Sequence, residues 1–168
     1  MILQFKYKDK ILDVLLDDED YHLISESGLS WKINNEGYQL VPLYYLVGRK
    51  MIKTKRRSTR LHRVIMNAPE GMVVDHINGN SLDNRKLNLR LCTETENKRN
   101  SPRHKNSKSA YKGVHWHKLC SKWIAHIGHN GKSIHLGYFT DPKLAAEAYN
   151  KKALELQGKF ARLNVIED

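Results

Sequence analysis

GMVVDHINGNSLDNRKLNLRLCTETENKRN, residues 71–100, holds two short apolar runs joined by a polar loop, and the rest of the chain is best read outward from it. Met72–Ile77 predicts a compact strand interrupted by Asp75 and His76, and Asn78-Gly79-Asn80 opens a loop that continues through Lys86. Leu89–Thr93 predicts a second strand. Thr93 with Glu96 has the spacing of a capping box, which starts a short helix, Glu94 to Asn100. The expected unit is strand, loop, strand, helix. An Asp and a His on an otherwise apolar strand require partners once buried. Adjacent strand residues point to opposite faces, so Asp75 and His76 reach one site only where the strand ends or bends, and Asn78-Gly79 supplies the bend.

Upstream, Ser58 to Met66 carries Leu61, Val64 and Ile65 at helical spacing with a Ser or Thr cap, and this short helix ends before Pro69 and Gly71. Residues 2–47 read as short extended segments, a small antiparallel meander punctuated by Ser27-Gly28, Asn34-Asn35 and Gly37. Its β-favouring clusters are Tyr21–Ile24, Tyr38–Val41 and Tyr44–Val47. Downstream, SPRHKNSKSA, residues 101–110, is polar, basic and Pro-containing, which predicts a linker. Beyond it, Gly113–Trp116, Trp123–His129 and Ser133–Phe139 predict three strands, the last two joined by the hairpin signal Asn130-Gly131. Asp141 as cap and Pro142 at the first helical position start a helix whose apolar face is read as Leu144, Ala145, Ala148, Tyr149, Lys152 and Leu156.

The chain of 168 residues carries 29 Lys+Arg against 18 Asp+Glu, a net charge of +11, which favours a polyanionic partner, nucleic acid first. The excess is localised. Residues 1–48 hold four Lys against eight acids, so the remaining 25 basic and 10 acidic residues leave +15 for residues 49–168. Two acid-free runs stand out: Arg49–Arg63 with eight Lys/Arg, and Lys98–Lys108 with five plus His104. Either run alone fits a solvated face equally well. Two of them bracketing one candidate site favour phosphate contact. No run approaches the about 20 apolar residues of a membrane span, and acids spread through the first residues do not make a secretory signal, so an intracellular, cytoplasmic protein without a membrane partner is expected. Cys92 and Cys120 stand alone, without the spacing of a disulfide framework or a thiolate zinc site.

Phosphodiester hydrolysis needs an activated water and a cation at the scissile phosphate. His76 is the residue type that takes a proton near neutral pH, and Asp75 with Asn97 can offer oxygen ligands to a hard divalent ion. The Asp-His pair in isolation reads more readily as a turn aspartate beside a hydrogen-bonded loop histidine. The longer run, residues 61–100, resembles the HNH homing endonucleases, in particular the phage-type branch whose motif ends in Asn: DHINGN, LDNR, NLR and the final EN fall in order. The resemblance implies a ββα-metal finger in which Asp75 and Asn97 are metal ligands and His76 is the general base. It further implies that Asn88 pins the loop to the finger, and that Arg85, Lys98 and Arg99 meet backbone phosphates. His62 matches the His-Arg pair before the motif, with a packed or hydrogen-bonded role. Oxygen ligation points to one Mg²⁺ or Mn²⁺.

Residues 111–164, from YKGV through KWIAHI, LGYF and AAEAYN to ARLN, resemble the AP2 DNA-binding domain over nearly its whole length. That family sets a three-stranded antiparallel sheet, backed by a helix, in the major groove. The corresponding contact positions are His115, His117, Lys118, Trp123, His126, Lys132 and His135; a packing role is read for Trp116 more than for Trp123, and for Gly137, Tyr138 and Phe139. A metal site built from the spread histidines is a rival reading.

The two resemblances cover about 94 of the 168 residues. They imply an α+β chain with a nuclease domain at 1–100 (a β-rich N-terminal segment, residues 1–60, and the finger, residues 61–100), a basic linker at 101–110 and an AP2-like domain at 111–168. The expected function is a metal-dependent homing-type endonuclease on double-stranded DNA, a monomer or weak dimer that nicks one strand per active site. Two alternatives keep the same residues: a DNA-binding regulator with a degenerate nuclease module, and a nuclease directed at RNA or serving defence.

Overall fold

In the computed structural model, residues 1–35, 44–52, 55–101 and 109–167 are described, with backbone alone for residues 35, 44–46, 48–52 and 55–58. The expected strand Tyr38–Val41, most of the 101–110 linker and most side chains of the Arg49–Arg63 run lie outside the described set. The chain is a mixed α/β protein of small antiparallel sheets and short helices, divided into two compact units, Met1–Glu94 and Thr95–Asp168.

The first unit begins with a hairpin, β1 (Ile2–Tyr7) paired with β2 (Lys10–Leu15) in the register Phe5↔Leu12. Alternation sends Phe5, Tyr7, Leu12 and Val14 toward one core with Ile33, Leu61 and Leu82. Full burial of an aliphatic side chain is worth about 1.5–3 kcal/mol, which is enough for this small core to order a hairpin that would be marginal alone. A 3₁₀ turn (Asp18–Asp20) and a one-turn helix α1 (His22–Ser25) follow, where an extended Tyr21–Ile24 was expected. The four acids Asp17–Asp20 explain the difference: carboxylates favour the first turn of a helix, and a β-favouring run of four residues is too short to outweigh them. Strands β3 (Ser30–Asn35), β4 (Tyr44–Ile52) and β5 (Lys55–Arg60) form an antiparallel sheet in that order. β5 therefore takes Ser58 and Thr59, and helix α2 is shorter than expected (Leu61–Ile65), with Arg60 at its N-cap and no side-chain cap. Its Leu61 is fully buried.

β6 (Val73–His76) pairs antiparallel with β7 (Leu89–Cys92), and α3 (Glu94–Arg99) follows. The loop between β6 and β7 is tied to the hairpin: Leu15 N–H donates to Leu82 O (2.9 Å), and Asn84 N–H donates to Leu15 O (2.7 Å).

In the second unit β8 (Val114–His117), β9 (Lys122–His129) and β10 (Lys132–Phe139) form an antiparallel sheet with β9 central. The Asn130-Gly131 turn has φ of 49° and 75°, the two positive values a tight hairpin of this kind needs. Helix α4 (Pro142–Gln157) starts as expected, with Asp141 accepting from Lys143 N–H at 2.7 Å. Its buried stripe is Ala145, Ala146, Tyr149, Ala153 and Gln157, a rotation from the expected face that leaves Leu144 exposed. Small residues win because the sheet comes close. Gly113, at φ +74°, shows how close: a Cβ there would lie 2.3 Å from the Tyr149 ring and 2.6 Å from His126 O. Gly113→Ala should destabilise the second unit by about 2–4 kcal/mol, the sum of overpacking and a left-handed backbone, measured by thermal melting of the full chain.

Two aromatic expectations are reversed. Trp123 packs on the core with Phe139, whereas Trp116 is exposed and meets Trp123 edge-on at 5.3 Å; Tyr138 is exposed too. Trp116 lies on edge strand β8, which nothing among the described strands covers, while Trp123 lies on the central strand under α4.

Candidate active site

Antiparallel register puts Asp75 opposite Arg90 and His76 opposite Leu89. Directly opposed residues on one face touch, and here a charge pair results: Arg90 donates to Asp75 Oδ2 from Nε (2.8 Å) and from a terminal nitrogen (2.5 Å). The side chains are only 6% and 13% exposed, for Asp75 and Arg90 respectively. His76 ends the strand. Its carbonyl accepts from Gly79 N–H at 2.8 Å, closing the turn, and Ile77 N–H donates to Asn88 O at 2.9 Å. The imidazole is buried, bonded to the Asn84 side chain, and packed edge-on against His62 with centroids 4.9 Å apart. Burial pushes its pKa below the ordinary histidine value, against the opposing pull of Asn84, Asp75 and Asp83. His76 is thus held as a neutral base at neutral pH.

The loop that positions this pair is a lattice of side-chain to backbone bonds. Asn88 joins its two ends, accepting from Asn78 N–H (3.0 Å) on Oδ1 and donating from Nδ2 to Asp83 O (2.8 Å). Asn78 closes one turn by accepting from Asn80 N–H (2.8 Å) and donates to Asp83 Oδ2 (2.9 Å). Asp83, almost fully buried, binds Arg85 through Nε at 2.8 Å and a terminal nitrogen at 2.7 Å, and the Arg85 guanidinium holds its carboxyl below the usual range. Arg85, half-exposed, is placed as a loop clamp as well as a surface cation. The acidic start of the chain serves the same loop: Asp17 accepts from Lys86 N–H (2.8 Å), and the Lys86 ammonium meets Glu19 (2.6 Å) and Asp20 (3.1 Å). Arg63, the end of the first basic run, donates to Met72 O, Ala68 O and Pro69 O, bracing the turn before β6 instead of facing phosphate.

Residues 60–99 match the family model described as HNH endonuclease. The chain is 32% identical over 148 residues to an uncharacterized HNH endonuclease of Acanthamoeba polyphaga mimivirus, across 84% of this chain and 70% of that one. The chain belongs to the HNH endonuclease family. Protein 3.8 of Escherichia phage T7 is 32% identical over 119 residues, 68% of this endonuclease and 98% of the phage protein. The C-terminal region is 35% identical over 68 residues to an AP2-like ethylene-responsive transcription factor of Arabidopsis thaliana, covering 40% of this chain and 14% of the plant protein. No solved structure matches.

HNH endonucleases generally use a divalent metal. The donor chemistry at Asp75 fits one, since a carboxylate is a hard oxygen ligand of the type such ions take. Among the described residues no group of three or more His, Cys, Asp or Glu side chains is placed to hold an ion. Asn97 lies on α3, within the second unit.

The second unit of the endonuclease sorts its expected contact residues by face. Val114, Ala125 and Ile127 face α4, so alternation puts His115 and His126 on the opposite side, and the His126↔His135 pairing adds the third. His115 and His126 meet edge-on at 4.9 Å, and Tyr138 lies 4.8 Å from His135 and 6.1 Å from His117. Burial, then the charges of His115 and His135, depress the His126 pKa. Trp123 and Lys132 lie on the α4 side, apart from this histidine face, and Lys118 lies in the β8–β9 turn.

Arg90 and Asn84 are site residues to which the sequence assigns no role: the first falls in the NLR tripeptide and the second in LDNR. The cross-strand register would have paired Arg90 with Asp75 had the strand ends been known; no local signal marks Asn84.

His62 gives the site an acid sensitivity. Burial, then the charges of His76, Arg60 and Arg63, lower its pKa to about 3, while the unfolded chain takes up its proton near 6.5. Stability is therefore present above pH 6.5 and is lost as pH falls from there toward 3. The expected loss from His62 is about 2 kcal/mol between pH 7 and pH 5, and urea unfolding should show His62→Gln less pH-sensitive by that amount.

Proposed function

We propose that this HNH endonuclease is a metal-dependent, homing-type enzyme that hydrolyses one strand of duplex DNA per active site, with the second unit recognising the target as an AP2-like module. The observation that carries this reading is the Asp75-His76 pair at the end of β6, buried, braced by Arg90 and Asn84, and set beside a loop whose two ends Asn88 ties together.

Asp75 and Asn97 are proposed to hold one Mg²⁺ or Mn²⁺, completing a ββα-metal finger of β6, β7 and α3. When bound, the ion supplies charge neutralisation at the scissile phosphate and at the departing 3′ oxygen. His76 accepts a proton from a water whose oxygen bonds to phosphorus. The P–O3′ bond breaks, and the 3′ oxygen leaves with a proton from solvent, giving 5′-phosphate and 3′-hydroxyl ends. Asn88 is a positioning residue, holding the loop and with it the orientation of His76. Arg85, Lys98 and Arg99 are proposed to meet backbone phosphates, and His115, His117, Lys118, His126 and His135 to present the sheet to the duplex, with Trp123 supporting from behind and Lys132 adding charge.

The test is a supercoiled plasmid incubated with the full chain and Mg²⁺ or Mn²⁺. Conversion to the nicked circle is expected with the ion, and none with chelator in excess, while retardation of the DNA persists in both. Retardation without nicking under every ion would favour a DNA-binding regulator, the reading to which the partial likeness to a plant transcription factor lends support. Stronger cleavage of structured RNA than of duplex DNA would overturn the substrate.

A further inference from the structure

The second unit contains a cleft of about 490 Å³ between α3, the β9–β10 hairpin and α4, on the side of the sheet away from the histidine face. Lys98, Arg99, Lys112 and Lys132 line it, and among the described residues no acid does. Lys112 has a different task from the other three: its ammonium donates to Arg99 O (2.6 Å) and Ser101 O (2.7 Å), so it caps the C-terminal end of α3 and seats that helix against the sheet. Burial, then Arg162, lowers its pKa to about 8. Lys98, Arg99 and Lys132 are left to face the space. Two buried polar atoms at the cleft residues, His129 Nδ1 and Gln157 Oε1, have no hydrogen-bond partner among the described residues. Such atoms cost free energy unless something else satisfies them. Three cations lining one space that no acid lines among the described residues, a volume that accommodates a nucleotide, and the buried His129 Nδ1, which can donate in the tautomer that protonates it, describe a site for an anion, while Gln157 Oε1, an acceptor, is left to a water or a donor group.

We propose that this cleft binds a phosphodiester of nucleic acid on Lys98, Arg99 and Lys132, as a second contact surface of the unit distinct from the histidine face. The proposal deepens the DNA-binding reading and in part rests on it. It brings together Lys98 and Arg99, which close the nuclease motif in sequence, and Lys132 of the hairpin, so that one strand backbone is gripped by both.

The experiment uses the ¹⁵N-labelled full chain. Titration with the dinucleotide d(TpT) should shift the amides of Gly128, Gly131 and Ser133, and Lys132→Gln should abolish those shifts without moving the amides of His115 or His126. Separately, the salt dependence of duplex affinity should flatten by about 1 in log–log slope for Lys132→Gln and for Arg99→Gln. If inorganic phosphate shifts the cleft amides as strongly as d(TpT), the site belongs to a free anion and the nucleic-acid assignment is overturned. The cleft is also overturned if duplex shifts the histidine-face amides while neither duplex nor d(TpT) touches the cleft, which leaves the DNA-binding reading intact. Cleft shifts with d(TpT) but no duplex binding or nicking would instead sink the proposed function and keep the site.

Discussion

His76→Ala should reduce plasmid nicking by at least about a hundredfold while leaving the duplex dissociation constant within about a factor of three. The reasoning starts from burial. A histidine that is 7% exposed, bonded to Asn84 and depressed in pKa is a neutral base, able to accept a proton and ill suited to ground-state attraction of phosphate. Its loss therefore falls on the chemical step. The substitution also opens space beside His62, so His76→Gln, which fills more of that volume, is the companion variant; circular dichroism checks that both fold. Normal nicking by either folded variant would remove His76 from the mechanism.

Arg90→Ala should be the most destabilising single change at the site, by about 3–5 kcal/mol in urea unfolding. Asp75 is 6% exposed and its Oδ2 takes two guanidinium contacts, so truncating Arg90 leaves a buried carboxylate without its main counter-charge. Removing both charges is far less costly than removing one. The double variant Asp75→Asn/Arg90→Met should recover most of the lost stability and remain inactive, because the proposed metal ligand has gone. A loss below about 1 kcal/mol in Arg90→Ala would mean that the pair is solvated in solution and does not brace the site.

Much of the site's local grammar is legible in the sequence. The strand carrying Asp75 and His76, the turn after it, the return strand and the helix through Asn97 all fall within two residues of expectation, because apolar runs bounded by Asn-Gly and a capping pattern encode backbone directly. The C-terminal hairpin is legible for the same reason. What local pattern could not supply were partners distant in sequence. Asp17 and Glu19 look like stray acidity until the loop at Lys86 is seen to rest on them, and Arg63 looks like a member of a phosphate-binding run until its guanidinium is found on three backbone carbonyls. The expected strand at Tyr21–Ile24 fails because acidic helix-start chemistry beside it outweighs a weak β preference.

By itself, then, the amino-acid order determined the element types around the motif, the chemical repertoire at Asp75 and His76 and the basic character of residues 49–168, since each depends on neighbours along the chain or on charge alone. Only the tertiary structure decided that Arg90 neutralises Asp75, that burial keeps His76 uncharged while Asn84 holds its ring, that Trp123 rather than Trp116 packs beneath α4, and that Lys132 lies across the sheet from the histidines. Those outcomes depend on strand register and on the depth of burial. Both emerge when distant segments pack, and a one-residue slip would reverse every face.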